Sequence, residues 1–485
     1  MNRVWRQTLI VVGVITALRI IALAFQGTEL GADETQYWAW SLHPAFGYFS
    51  KPPMIAWVIW LTTHIAGSGE FGVRLGAPLL HAGTALLIFQ IARRLYDEKI
   101  ALWSAVTFAT LPAVSLSAGL ITTDVPLLFF WALALLGLVD ALTKGVTWTH
   151  ALWVGVALGL GLMAKYAMLY FVVCAIVGTI VVPELRRVVF SLKGLAALAL
   201  GLLILAPNIA WNAAQGFVTV KHTASNADVH GHHFNIEELG DFLLSQFGVF
   251  GPILFGTLAV GLARARRSWG SPLYPKRATG LLLSFSLPIL AVASTVAFYS
   301  RANANWAAPS YVALTPLVVF WLIEDARRLL FSISIRLHAV IAILIAVAVA
   351  WPGIADYVGL SNAVKRVRGW ADIGGKIAVA ANSGDYTAIL ATDRELMGEL
   401  LYYVRPRGVP VLMWDFKRSP LNHYELAMKV TPETGAHVLY VSTTKSAEPV
   451  ADHYSERQDL GSVSVDLDPK RTRTLYLFDL EGYKP

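Results

Sequence analysis

Residues 121–142 read ITTDVPLLFFWALALLGLVDAL, and this stretch decides the fold class. Its two charged residues, Asp124 and Asp140, stand towards its two ends. A helix of about 20 mostly apolar residues is long enough to cross a bilayer. The stretch therefore predicts a membrane-spanning helix with Asp124 at one mouth.

The composition of the whole chain agrees with this interpretation. Of its 485 residues, 56% are hydrophobic and 15% are charged, and the mean hydropathy is +0.55. Soluble globular proteins carry about 25% charged residues. These values exclude a soluble enzyme, a disordered chain and a disulfide-stapled secreted module. The single cysteine, Cys174, also excludes an intrachain disulfide and a cysteine metal cluster.

Similar apolar stretches recur and predict an all-α polytopic membrane bundle of about eleven transmembrane helices plus interfacial helices. The stretch 52–67 is apolar but short, and it is expected to lie at the interface. Two short spans are expected in 150–183, joined as a tight hairpin at Lys165. The predicted spans are 4–26, 72–92, 100–118, 121–142, 150–164, 166–183, 194–212, 245–263, 279–299, 306–323 and 337–353.

The basic residues set the expected orientation. Seventeen Lys and Arg residues flank alternate ends of these spans, against five on the other side. The positive-inside rule places the N-terminus in the cytoplasm and the C-terminus outside. The net charge of +7 arises within the apolar part, so no nucleic-acid partner is expected. The alternative of a cleaved signal over 1–24 is disfavoured because Arg19 interrupts its apolar core.

The long apolar stretches end near residue 353, and the residue pattern changes. Short β-rich runs at 387–391, 409–413, 437–441 and 475–478 flank a helical pattern over 394–403. Alternating strands and helices predict a small α/β domain. The expected organisation is a transmembrane domain over 1–353, with outer loops 27–71 and 213–244, and a periplasmic α/β domain over 354–485.

Paired acids stand on the predicted outer face. Asp33 and Glu34 open the first outer loop and are followed by the aromatic Tyr37, and Asp124 opens the fourth span. A solvated loop with an aromatic belt is one explanation for the first group, and a helix N-cap is one for Asp124. The alternative is catalysis, because a carboxylate can deprotonate an acceptor hydroxyl.

Cations and amides occupy the same predicted face. Lys51 lies in the first outer loop, Lys165 at the hairpin tip, and Arg301 near Asn305 in the last outer turn. Snorkelling explains Lys165 and a capped helix turn explains Arg301 equally well. If these groups share a cavity, Lys and Arg would hold a donor phosphate and stabilise its growing charge.

A divalent metal is a further candidate partner, with no cofactor certain. The outer loop 213–244 contains His222, His230, His232 and His233, and Asp33 or Asp124 would supply the carboxylates. Their spacing is irregular, which favours an ordinary polar loop over a metal site.

Together these residues predict sugar transfer from a lipid-phosphate donor. Carboxylates would activate the acceptor, cations would grip the leaving phosphate, and a groove between lipid-facing helices would hold a polyprenyl tail. A lipid or solute transporter is the alternative of another class. That alternative is disfavoured because, of these candidates, only Arg19 lies deep in a predicted span.

Several motifs resemble those of a known group of enzymes. The chain resembles the GT-C superfamily of integral membrane glycosyltransferases, within it the bacterial branch of the protein O-mannosyltransferase and aminoarabinose (lipid A) transferase families. The matching segments are Asp33-Glu34 with Tyr37-Trp38, Tyr48-Phe49-Ser50-Lys51-Pro52-Pro53, Thr123-Asp124-Val125-Pro126, Asn305-Trp306-Ala307-Ala308-Pro309 and Asn422-His423-Tyr424-Glu425.

The resemblance implies a polyprenyl-phosphate sugar donor and an inverting transfer. It implies that Asp33 is the general base, with Asp124 a second carboxylate orienting the sugar or a metal. Lys51 and Arg301 would meet the donor phosphate, and Tyr48 would line the donor pocket. Aminoarabinose transferases tend to have a glutamate where this chain has Ser50, which favours a neutral or acidic sugar such as a hexose or galacturonic acid.

The expected function is therefore modification of an envelope glycolipid, such as lipopolysaccharide or lipid A, at the periplasmic face of a bacterial inner membrane. Protein O-mannosyltransferase-like modification of secreted Ser and Thr residues is the alternative acceptor class. The expected partners are the donor, a glycolipid or protein acceptor, and membrane lipids.

Overall fold

The computed structural model describes residues 2–226, 234–268, 276–324, 327–359, 361–415 and 420–484. The described chain is mostly helical, with one five-stranded sheet near its C-terminus. The helices before the sheet are Arg3–Ala24, Ala32–Ser41, Met54–Ala66, Glu70–Arg74, Gly76–Leu95, Glu98–Thr110, Pro112–Ser117, Asp124–Lys144, Trp148–Ala164, Leu169–Val181, Arg186–Val189, Leu192–Ala214, Val218–Asn226, Ile236–Phe250, Pro252–Ser268, Lys276–Ser284, Leu287–Tyr299, Ser310–Glu324, Arg328–Ala350, Ile354–Tyr357, Ser361–Val364 and Trp370–Asn382.

Length and composition qualify six of the described helical segments as membrane spans, or up to seven if one bent pair counts as one span. This makes the protein a multi-pass membrane protein, with fewer full-length spans than the eleven predicted. Several predicted spans are shorter apolar helices, among them Trp148–Ala164 and Ser310–Glu324. The stretch predicted to be interfacial forms the helix Met54–Ala66.

The predicted span 245–263 is wrong as a single helix. The helices Ile236–Phe250 and Pro252–Ala263 meet at an angle of 116°. Gly251 has φ 96° between them, and Pro252 has no N–H with which to continue the first helix. An ideal Cβ on Gly251 would lie 2.2 Å from His338 Nε2, so only glycine fits this corner.

The sequence predicts a tight hairpin at Lys165, and the structure has a helix break there. The helix Trp148–Ala164 ends at Lys165, and a short 3₁₀ turn, Tyr166–Met168, leads into the next helix. Gly155 and Gly159 allow close packing against the helix Leu192–Ala214, since a Cβ on Gly159 would lie 2.6 Å from Ile204 Cβ. Small residues four apart are typical of such contacts in membranes.

The C-terminal sheet has the order β2-β1-β3-β5-β4. β1 is parallel to β2 and β3, whereas β5 is antiparallel to β3 and β4. The predicted helix 394–403 is confirmed as Arg394–Tyr403. The strand β4 was not predicted, because most of its side chains are exposed and it has no apolar run. The strands are β1 (Ala388–Ala391), β2 (Val411–Met413), β3 (His437–Ser442), β4 (Tyr454–Asp468) and β5 (Arg471–Tyr483).

The first outer loop and the C-terminal region share one hydrophobic core. The helix Ala32–Ser41 packs on the helix Arg394–Tyr403. Tyr403 Oη accepts a hydrogen bond from Leu30 N at 2.6 Å and donates one to Glu70 Oε1 at 2.6 Å. This contact fixes the C-terminal region over the loop that contains Asp33.

Candidate functional site

A cavity of about 1270 Å³ lies between the membrane helices and the C-terminal region. Eight of the predicted site residues line it, although they come from four separate segments. They are Asp33, Glu34, Tyr37, Lys51, Asp124, Lys165, Arg301 and Asn305.

Asp124 is the first residue of the helix Asp124–Lys144, where the helix dipole favours a negative charge. Its Oδ1 accepts a hydrogen bond from Lys165 Nζ at 2.7 Å, and its Oδ2 accepts one from Asn305 Nδ2 at 2.6 Å. The carboxylate is buried, and both oxygens are engaged by named donors. Asp124 therefore joins three elements at the cavity floor.

Asp33 has a different environment. It lies in the first turn of the helix Ala32–Ser41, and its side chain is 65% exposed. Arg394 Nη1 lies 3.1 Å from Asp33 Oδ1 and also donates to Gln36. Burial acts to lower the pKa of Arg394, but the charge and hydrogen bond of Asp33 raise it overall. Asp33 is thus an accessible carboxylate held at the cavity by one arginine.

Each carboxylate oxygen of Glu34 accepts two hydrogen bonds. Arg74, which is fully buried, donates two hydrogen bonds to its carboxylate at 2.8 and 2.7 Å. The N–H groups of Gly31 and Ile121 donate two more. This network fixes the first outer loop against the segment that precedes Asp124, and it gives Glu34 the environment of a positioning residue.

Two of the cations that line the cavity, Lys51 and Arg301, come from the first outer loop and the last outer turn. The side chains of Lys51 and Arg301 make no hydrogen bond or ion pair with any residue in the described part of the chain. Burial lowers the pKa of Lys51, and the neighbouring Lys165 adds to that effect. The cavity therefore has positive charge in excess of what its own carboxylates neutralise, as a phosphate site requires.

Tyr37 contributes a neutral phenol to the wall. Its pKa is raised well above the usual value, chiefly by burial and then by the charge of Asp33. Tyr48, predicted to line the donor pocket, is not among the described residues that line the cavity. Its ring stacks on that of Trp40 with the centroids 4.6 Å apart, and its hydroxyl donates to Trp40 O at 2.9 Å. Tyr48 therefore stabilises the first outer loop.

The described residues contain no group of three or more His, Cys, Asp or Glu side chains able to hold a metal ion. His222 packs on Phe49, with ring centroids 5.6 Å apart, and is not among the described residues that line the cavity. His230, His232 and His233 lie outside the described residues. A metal bound by Asp33, Asp124 and His222 stays a prediction.

One wall of the cavity is apolar and comes from the membrane helices. Its residues belong to the start of the helix Leu169–Val181 and to one face of the helix Leu287–Tyr299, and are Leu169, Tyr170, Ile289, Val292, Ala293 and Val296. An apolar wall continuous with charged groups matches a ligand with a lipid tail and a polar head.

The opposite wall was missed by sequence reasoning. It comes from the C-terminal region and includes Arg366, Trp370, Arg394, Glu399 and Arg473. These residues lie more than 300 positions after Asp33 in the sequence, and no local sequence pattern identifies them as site residues. Only the packing of the helix Arg394–Tyr403 on the first outer loop brings them to the site.

The segment Asn422–Glu425 has a structural role here. Asn422 Oδ1 caps the N–H groups of Tyr424 and Glu425, and His423 packs edge-on against Trp40 and Tyr48. The segment fastens the C-terminal region to the first outer loop.

The fold and this one-sided polar cavity define a polytopic membrane enzyme, and comparisons with known proteins specify its class. A family model for dolichyl-phosphate-mannose-protein mannosyltransferases matches residues 50–211. The lipid A galacturonosyltransferase RgtD of Rhizobium johnstonii is 31% identical over 441 residues, which cover 90% of this chain and 91% of that protein. The lipopolysaccharide core galacturonosyltransferase RgtA of the same organism is 28% identical over 38% of this chain and 37% of that protein.

The fold has a counterpart among solved structures. ArnT from Cupriavidus metallidurans, in its crystal structure bound to undecaprenyl phosphate, superposes with a TM-score of 0.64 over 97% of each chain at 15% identity. The chain therefore belongs to the GT-C superfamily of integral membrane glycosyltransferases. Within that superfamily, its match to RgtD spans almost the full length of both chains.

Proposed function

We propose that this protein transfers a sugar, galacturonic acid in the first instance, from a polyprenyl-phosphate donor to a lipid A-type glycolipid. The observation that carries the proposal is an accessible carboxylate, Asp33, in one cavity with an apolar wall and with Lys51 and Arg301, which have no side-chain partner among the described residues. The names of the relatives supply the chemistry: RgtD acts on lipid A, and ArnT was crystallised with undecaprenyl phosphate.

The geometry supports a single inverting displacement. An acceptor hydroxyl oxygen attacks the anomeric carbon while Asp33 takes the hydroxyl proton. The bond from the anomeric carbon to the phosphate oxygen breaks, and polyprenyl phosphate leaves with the electron pair. Lys51 and Arg301 stabilise the charge that grows on that phosphate. Asp124 orients Lys165 and Asn305 at the floor.

The distribution of basic residues supports an outward-facing cavity. Asp140, near the far end of the helix Asp124–Lys144, pairs with Arg94 and with Lys144. Arg277 and Lys193 donate to backbone carbonyls at the same end. This end lies about 30 Å along the helix from Asp124. By the positive-inside rule the basic end would be cytoplasmic, and this supports a periplasmic position for the cavity and the C-terminal region.

A second acceptor class has a specific observation in its favour. The matching family model describes protein mannosyltransferases, and residues 50–211 include Lys51, Asp124 and Lys165. Ser or Thr side chains of secreted proteins would then replace the glycolipid hydroxyl, with the same roles for Asp33 and the cations.

The test is a reconstituted reaction analysed by mass spectrometry. Purified protein receives polyprenyl-phosphate galacturonate, with lipid A in one arm and a Ser/Thr-rich peptide in the other. The proposal expects the mass of one hexuronate residue on lipid A and free polyprenyl phosphate in equal amount. Transfer to the peptide alone would favour the second acceptor class, and transport of intact donor without bond cleavage would contradict both.

A further inference from the structure

Two polar groups on the cavity wall formed by the C-terminal region lack partners. Glu399, on the helix Arg394–Tyr403, is 1% exposed, and its Oε2 has no hydrogen-bond partner among the residues that the structure describes. Arg473, on β5, donates from Nη2 to Lys365 O at 2.9 Å, while its buried Nη1 has no such partner. Leaving a buried polar group without a hydrogen bond costs free energy, because the group has lost its water without gaining a partner. A ligand that bonds to both groups would recover that cost.

The arginine is held in one orientation. Its guanidinium carbon lies 3.6 Å from the ring centroid of Trp370, a close cation–π contact. Trp370 is fixed in turn, because its backbone N–H donates to Glu29 Oε2 at 2.6 Å and its Nε1 donates to Arg366 O at 2.9 Å. The free Nη1 is therefore preorganised before any ligand arrives.

The charge state of Glu399 and Arg473 favours the binding of an anion. Burial raises the pKa of Glu399 to about 9, and the opposing effect of Arg473 is smaller. Glu399 is therefore a neutral carboxylic acid near neutral pH, so it does not cancel the charge of Arg473. One N–H donor and one O–H donor therefore belong to cavity-lining residues, together with Arg366, which is exposed.

The position of the pair separates it from the cations assigned to the donor phosphate. Lys51 and Arg301 belong to outer turns of the membrane part, whereas Glu399 and Arg473 belong to the C-terminal region. Arg394, which contacts Asp33, opens the helix that contains Glu399. Glu399 is five residues further along, about 7.5 Å in an α-helix.

We infer that Arg473 and Glu399 form an oxyanion subsite, and that its ligand is a phosphate of the sugar acceptor, held beside the base Asp33. The inference rests on the proposed function, because it takes the acceptor glycolipid as its ligand. The carboxylate of the transferred sugar has the same chemistry, and the experiment separates the two sources.

The experiment uses the full-length protein and the variant Arg473→Gln. Acceptor KM and kcat are measured with lipid A and with phosphatase-treated lipid A, using a galacturonate donor and a neutral galactose donor. The variant is expected to raise KM for phosphorylated lipid A about 10- to 100-fold, the usual range for a charged hydrogen bond. Its kcat should change little, and KM for dephosphorylated lipid A should match that of the unmodified protein.

Two further variants test the proposed donor role of Glu399. Glu399→Gln keeps a neutral hydrogen-bond donor and should retain the acceptor KM, whereas Glu399→Leu should raise it as Arg473→Gln does. Equal KM values for the Gln and Leu variants would contradict a hydrogen bond from Glu399. Arg457→Gln, at an exposed ion pair on β4, is the matched control and should leave KM unchanged.

The outcomes separate this inference from the proposed function. An effect of Arg473→Gln that follows the donor carboxylate and not the acceptor phosphate would overturn the acceptor assignment. An effect on neither would overturn the subsite. If the unmodified protein transfers no sugar at all, the proposed function fails. Binding of lipid A to both forms, measured by tryptophan fluorescence, then still tests the subsite. Arg473→Lys keeps the positive charge but loses the planar guanidinium with its several N–H donors. It should give an intermediate effect, and it serves as a control for a folding defect.

Discussion

The two ends of the helix Asp124–Lys144 both contain an aspartate paired with cations, yet they differ in what surrounds the pair. At the far end, Asp140 is bonded by Arg94 and Lys144, and two neighbouring basic side chains, Lys193 and Arg277, donate to backbone carbonyls. At the cavity end, Asp124 is bonded by Lys165 and Asn305, while Lys51 and Arg301 contact no described partner. The comparison shows that paired charge stabilises the structure, whereas surplus unpaired charge inside a cavity indicates a ligand.

The largest expected effect comes from the accessible carboxylate at the cavity end. Asp33→Asn should lower kcat about 10²- to 10⁴-fold, because the amide cannot take the acceptor proton. Single-turnover transfer to lipid A measures the loss. Asp372→Asn, an exposed acid in the first turn of the helix Trp370–Asn382, is the control and should keep full activity. Normal turnover by Asp33→Asn would remove the assignment of the base.

Lys51, which has no side-chain partner among the described residues, should affect donor binding as well as the chemical step. Lys51→Gln is expected to raise the donor KM about 10- to 100-fold, in line with the loss of one charge-assisted hydrogen bond to phosphate. Lys51→Arg should recover most of the affinity, because it retains the charge. Titration with polyprenyl phosphate itself, without a sugar, checks the contact directly, and unchanged affinity for Lys51→Gln would place the phosphate elsewhere.

A substitution at the Asp140 end of the helix Asp124–Lys144 should lower the stability of the protein and leave catalysis unchanged. Arg94→Gln removes the bidentate partner of Asp140, while Lys144, at 3.2 Å, remains. We expect a loss of about 1–3 kcal/mol in the free energy of unfolding, less than for a fully broken buried pair. Thermal unfolding in detergent measures it. A fall in kcat/KM at a temperature where the variant is folded would contradict the division between the two ends.

The smallest expected effect is a shift in pH dependence. Because burial and Lys165 lower the pKa of Lys51, its charge is lost at a lower pH than that of an ordinary lysine. Donor affinity is therefore complete below that pKa and decreases as the pH rises through it. Lys51→Arg should move the alkaline limb of the donor KM profile to higher pH, measured between about pH 7 and 10. Superimposable limbs would exclude Lys51 as the titrating group.

The sequence predicted the parts of the site that lie in local motifs at helix ends. Asp124 was recognised at a helix start that contains Pro126, and Asn305 was recognised beside Arg301 in the last outer turn. Two features could not be predicted in the same way. The partner of Glu34 is Arg74, 40 positions away, and the partner of Asp33 is Arg394, 361 positions away. Such pairs depend on tertiary packing, which no periodicity encodes.

Errors in the fold also have physical causes. Hydropathy over 245–263 is continuous, but the backbone turns by 116° at Gly251, where one glycine and one proline outweigh the apolar pattern. Similarly, β4 is held to the sheet by pairing with β5 and not by burial of its own side chains, so it has no hydrophobic signature.

The shared core beneath Tyr403 makes the C-terminal region inseparable from the first outer loop. Leu30 and Trp38 are buried against residues such as Met397 and Tyr402, and Arg405 covers the Trp38 ring at 4.5 Å. A truncation ahead of β1 would leave these aromatic side chains in water and release Asp33 from its arginine. Deleting the last fifth of the chain is therefore expected to abolish transfer as completely as Asp33→Asn, even though the membrane helices themselves were untouched.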